Sequence, residues 1–88
     1  MNAEQQSIER MPLSDLLGKR LGRLLDQLGM HRVPHLYRLV LDEVERALIE
    51  QALRRSGGSR KLAAEILGIH RNSLRNRIRA LGIEKQRT

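Results

Sequence analysis

Cysteine, phenylalanine and tryptophan are absent from the sequence, and tyrosine occurs once, as Tyr37. Without thiols there is no disulfide to staple a small fold and no Cys-based zinc site. Without large aromatic rings the core has to be aliphatic, and 25 Leu, Ile and Val residues suffice to build one. No run of about 18 apolar residues is present, so no transmembrane span and no membrane partner are expected. The opening segment, MNAEQQSIERMPL, lacks the apolar centre of a signal peptide. Together these absences make a cytoplasmic protein the expectation. At 88 residues the chain is read as one small domain with limited capacity to bury its own surface.

Acid is scarce in one half only. Residues 1–53 hold seven Lys/Arg against eight Asp/Glu, a net charge of −1. Residues 54–88 hold ten Lys/Arg against two Asp/Glu, a net charge of +8, so the overall +7 lies in the second half. The segment LGIHRNSLRNRIRALG, Leu67 to Gly82, has four arginines and no carboxylate. Like charges four apart on a helix repel, and that arrangement makes sense when a polyanion outside the segment supplies the missing charge.

Helical periodicity dominates what is present. After the polar residues 1–11, expected to be a flexible arm, Pro12 favours a helix start. Apolar residues then fall at 13, 16, 17, 21, 24, 25 and 28, the three-four spacing of an amphipathic helix over Leu13–Leu28 that Gly29 closes. Gly18 and Gly22 weaken it and leave room for another helix to come close. A second helix is predicted from Pro34 to Arg55, with Pro34 in its first turn. Its apolar residues wrap more than half the circumference, and a helix of that kind needs cover on most sides. The expectation is a homodimer whose first two helices form a four-helix core, with Leu17, Leu21, Leu24, Leu28, Leu36, Val40, Val44 and Leu48 at the interface. The alternative is that the C-terminal helices fold back over the excess.

The stretch SGGS, Ser56 to Ser59, breaks the chain. The glycines suit a left-handed helix end and Ser59 suits an N-cap. A short helix, Arg60–Leu67, a turn, Gly68–Ile69–His70, and a final helix, Arg71–Leu81, complete an all-α, four-helix plan. The last two are ordered as a helix-turn-helix. Ala63 and Ala64 are small where crossing helices meet, and Leu67, Ile69, Leu74 and Ile78 supply the apolar hinge. At 100° per residue from Arg71, Leu74, Ile78 and Leu81 fall at about 300°, 340° and 280°. Arg71, Arg75 and Arg79 fall at about 0°, 40° and 80°, with Asn72 and Asn76 at about 100° and 140°. One side of this helix packs and an adjoining arc is Arg and Asn. Arginine bonds guanine or clamps a phosphate, and asparagine pairs with adenine in the major groove. Double-stranded DNA is therefore the expected partner.

The segment ERALIEQALRRSGGSRKLAAEILGIHRNSLRNRIRALGI resembles the C-terminal helix-turn-helix of the Fis family, whose pattern reads roughly GN..RAA..LGI.R.TLR.K. MPLSDLLGKRLGRLLDQLG and LYRLVLDEVERALIEQAL resemble the first two helices of that family, so the likeness covers about residues 12 to 83. It implies a dimeric, DNA-bending transcriptional regulator of the bacterial nucleoid that tolerates sequence variation in its sites. RNA polymerase or other transcription proteins are further expected partners. It also implies that the recognition helix begins near His70 and Arg71, that Arg71 contacts a base and that Ser73 holds a phosphate. Arg75, Asn76, Arg77 and Arg79 take the family's basic positions. Ser59 and Lys61 stand where the family places backbone-contacting residues. Gly58–Ser59 departs from the usual Gly–Asn, Leu62 from a frequent Arg or Lys, and Ala47 from a proline that kinks the second helix. The arm before Pro12 is shorter than the family's recombinase-contacting hairpin, so recombinase activation is not expected. The domain plan is an arm over 1–12, dimerisation helices over 13–56, a DNA-binding unit over 57–83 and a tail over 84–88.

Other chemistries find little support. His31 and His35 are four apart, but Pro34 lies between them and no third ligand is near, so no metal is expected. There is no Gly-x-Ser-x-Gly elbow, no phosphate loop and no paired carboxylates in a plausible pocket, so neither an enzyme nor a cofactor is expected. The acids Asp42, Glu43, Glu45 and Glu50 read as a solvated strip near Arg38, Arg46 and Arg54. Two alternatives remain: the C-terminal DNA-binding domain of an NtrC-type activator, which shares this module, and a helical adaptor whose basic face meets an acidic protein.

Overall fold

A computed structural model of the chain describes residues 12–83. Among them are four α-helices: α1 (Leu13–Leu28), α2 (Leu36–Arg55), α3 (Arg60–Leu67) and α4 (Arg71–Leu81). The expected arm over 1–11 and tail over 84–88 lie outside the described residues. The chain divides into two compact units, the first ending at Pro34 and the second beginning at His35.

The first unit contains α1. Pro12, with φ −56° and ψ 139°, holds the chain extended before the helix, and its carbonyl accepts from the Asp15 N–H at 3.0 Å. Gly29 closes the helix at φ 59°, its N–H reaching the Leu25 and Asp26 carbonyls at 3.1 Å. His31 extends this end: Nδ1–H donates to the Leu28 carbonyl at 3.0 Å. The leucine stripe forms as its spacing predicts, yet no residue of α1 is buried. Among the described residues, a Cβ placed at Gly18 or Gly22 would meet nothing within 4 Å, so that side of the helix is open.

The second unit holds the core. α2 starts two residues later than Pro34 suggests, because His35 sits in the left-handed region at φ 61°, ψ 27° and cannot join a right-handed helix. Only the C-terminal part of α2 is buried, through Ile49, Ala52 and Leu53. Its earlier apolar residues remain half-buried (Leu36, Val40, Val44) or exposed (Leu39, Leu41, Leu48). Gly57 and Gly58, at φ 68° and 90°, take the left-handed turn that brings the chain back, and the Gly58 N–H bonds the Leu53 carbonyl at 2.8 Å.

α3 is only eight residues long, too short to persist in isolation. Ser59 Oγ caps it by accepting from the Leu62 N–H at 3.1 Å. Ala63 and Ala64 are buried where it packs against α2 and α4. α4 adds Leu74, Ile78 and Leu81, and Ile83 follows into the same cluster, with Leu67 packed at its margin. Ile69, expected in the apolar hinge, stays largely outside at 39 % exposure. It follows Gly68, whose φ of 72° turns the chain, and its N–H is taken by the Ala64 carbonyl at 3.1 Å.

Candidate nucleic-acid interface

The turn between α3 and α4 sets the geometry. His70, extended at φ −69° and ψ 145°, is the N-cap of α4, and its Nδ1 accepts from the Asn72 N–H at 3.1 Å. An accepting Nδ1 carries no hydrogen, so the neutral ring presents Nε2–H as its donor. Burial of Leu74, Ile78 and Leu81 then fixes the rotation of α4 about its axis. The flank carrying Arg71, Asn72, Arg75, Asn76 and Arg79 is left exposed, with Ser73 beside it. Among the described residues, no ion pair within 4.0 Å involves Arg71, Arg75 or Arg79.

α3 contributes to the same surface. Lys61 lines one cleft with Ile69, His70 and Arg71. Arg60 lines a second with Arg71, Asn72 and Arg75. Arg71 is common to both and stands at the centre of the basic surface. Ser59 sits at its edge with its oxygen engaged in the α3 cap, as a half-buried residue. Local pattern in the sequence does not mark Arg60 as part of this surface. The signal was only its place at the start of a helix predicted to cross the last one.

Arg77 stands apart from the other arginines. Its Nε donates to Glu45 Oε2 and its Nη2 to Glu45 Oε1, both at 2.7 Å, in a bidentate pair joining α4 to α2. Asp42 Oδ1 lies 3.8 Å from the same guanidinium and 3.6 Å from that of Arg38. The hydrogen bond and charge of Arg77 hold the Glu45 carboxyl below its ordinary value, and Glu45 in turn raises Arg77. The solvated strip expected on α2 is therefore divided. Glu43 pairs along its own helix with Arg46 at 3.6 Å, whereas Glu45 reaches across to α4. A sequence signal existed: Arg77 falls at about 240° on the wheel, beyond the apolar stripe from the Arg/Asn arc.

Residues 40–81, the span of α2, α3 and α4 that makes this arrangement, match the model of the bacterial regulatory protein Fis family. Proteins named DNA-binding protein Fis from Aliivibrio fischeri, Aliivibrio salmonicida and Vibrio cholerae are each 35 % identical to the chain over 79 residues. Those alignments cover 90 % of this chain and 81 % of each relative. The chain belongs to the Fis family. An alignment of 79 out of 88 residues also takes in the segment of α1, so the likeness to Fis proteins is wider than the helix-turn-helix. No solved structure matches the chain significantly.

Proposed function

We propose that the chain is a Fis-type DNA-binding regulator that lays α4 in the major groove of a duplex. The observation that carries this reading is the exposed flank of Arg71, Asn72, Arg75, Asn76 and Arg79, free of carboxylate partners among the described residues, on a helix whose opposite side is locked into the core. An α-helix fits the major groove, and Arg and Asn are the side chains that read guanine and adenine there. Lys61, His70 and Ser73 would meet backbone phosphates beside the flank, with Ser59 further along the same surface; the cleft that Lys61 and His70 line with Arg71 supports this. Relatives named as DNA-binding proteins support this assignment.

The same reading includes a homodimer acting on bent DNA in the bacterial nucleoid. The leucine stripe of α1, with no residue buried, and the half-buried or exposed apolar residues of α2 from Leu36 to Leu48 support it, since both are surfaces that a second copy would bury. Two recognition helices closer together than one turn of straight duplex meet successive grooves only by bending it. Selectivity then rests on duplex flexibility as much as on base edges. The match over the segment of α1 favours this Fis-like whole over the shared terminal module of an NtrC-type activator.

A mobility shift with random-sequence competitor at about 150 mM salt tests the proposal. A retarded, bent duplex is expected; absence of any retarded species overturns it.

A further inference from the structure

The cleft between the start of α3 and the first turns of α4 is lined by three arginines from two helices. Arg60 comes from α3, and Arg71 and Arg75 from α4, with the Asn72 amide among them. All four residues are exposed, and among the described residues no carboxylate lies within 4.0 Å of any of the three arginines. Arginines that line one cleft repel where no anion lies between them, and a guanidinium fork suits the paired oxygens of a phosphate. The chain neutralises other cations that approach one another. Arg77 and Arg38 share Asp42, and Arg77 is also clamped by Glu45. The cleft at Arg60 has no such internal partner.

We infer that Arg60 is a phosphate-binding residue, closing with Arg75 on one backbone phosphate of the duplex while Arg71, which lines the same cleft, reaches a base edge. This rests on the proposed DNA-binding reading and adds to it a contact from the first residue of α3. Arg60 ties the supporting helix to the strand that α4 reads, and so fixes the depth at which α4 sits. Its contribution is independent of base sequence, because a phosphate carries no base identity.

The test compares the wild-type chain with Arg60→Ala and Arg60→Lys, titrated against a preferred duplex and a random duplex from 50 to 200 mM salt. Arg60 is exposed and the α3 cap belongs to Ser59, so both variants should keep the wild-type circular dichroism spectrum. One phosphate contact is worth a salt slope of about 0.9. Arg60→Ala should therefore flatten the slope by about that amount, and wild type should lose about three- to fourfold more affinity than the variant across this range. Both duplexes should be weakened alike, and Arg60→Lys should keep the slope, since a point charge still meets a phosphate. An unchanged slope in Arg60→Ala overturns the inference. So does a loss confined to the preferred duplex, which would make Arg60 a base reader. Replacing chloride by inorganic phosphate at constant ionic strength distinguishes the source of the anion. Competition that vanishes in Arg60→Ala would support a duplex phosphate at Arg60, whereas phosphate binding at Arg60 that leaves duplex affinity unchanged would assign the cleft to free phosphate and overturn the duplex contact. Failure of the wild-type chain to bind any duplex would instead refute the broader DNA-binding reading.

Discussion

The leucine stripe of α1 and the apolar face of α4 have the same three-four spacing, but Leu74 on α4 is completely buried while no residue of α1 is. The difference does not lie in helix quality. α1 has 16 residues and α3 only eight, yet α3 is the one with a side-chain cap and buried alanines. Spacing creates an apolar face, and neighbours decide whether it is satisfied. The second unit completes its own core from three helices. The first has no buried residue, its leucines at 17, 21, 24 and 28 being half-buried, as are Leu36, Val40 and Val44 in the N-terminal half of α2. In the proposed reading, recognition belongs to this self-sufficient scaffold, and assembly would use the apolar surfaces that it does not bury.

The largest test of that contrast is Leu74→Ala. Emptying the fully buried site should cost about 2–5 kcal/mol in urea unfolding, and a cost below about 1 kcal/mol would show that the second unit is not organised around Leu74. Next comes Leu24→Asp on the half-buried leucine stripe of α1. It should weaken association by at least about 2 kcal/mol and lower the sedimentation mass to that of a monomer while helicity is largely kept. An unchanged mass would mean that α1 is not an assembly surface. Arg71→Ala leaves both cores alone and should remove about 1–3 kcal/mol of discrimination between preferred and random duplexes. Equal losses on the two would restrict Arg71 to phosphate contact.

The smallest effect concerns acid. The folded-state value of Glu45 is lowered below 4.5, chiefly by the hydrogen bond from Arg77. The pair therefore stabilises the second unit fully above the unfolded-state value and is lost as pH falls through the folded-state value. Thermal unfolding followed downward from pH 5 should show a modest extra loss in the wild type that Glu45→Gln lacks. Parallel curves for the two proteins would leave the clamp without energetic weight.

Three of the four helices run from the same first residue to the same last residue as the sequence predicts. Each is bounded by residues with a local mechanism: Pro12 and Gly29, Ser59 and Gly68, Gly82. The start of α2 is not legible in the sequence, because nothing in its neighbourhood announces a histidine in the left-handed region. The Arg/Asn arc was legible because helical period and an apolar stripe together fix which flank is outermost. The partnership of Arg77 with Glu45 was not, since 32 residues separate them and only the packing of α4 on α2 joins them. Arg60 was overlooked for the same reason. Its neighbours Arg71 and Arg75 are set by how two helices cross, and local pattern does not encode that angle.

Gly82 halts α4 with φ 67°, its N–H on the Arg79 carbonyl at 3.1 Å, while Ile83 turns inward as a buried residue. The helix is thereby held to 11 residues. That length rises about 16 Å, which matches about five base-pair steps at 3.4 Å each. In the proposed complex a glycine stop would act as a ruler. Each copy would scan only a short word of sequence, and any preference longer than that word would be written in the spacing and stiffness of the stretch between two of them.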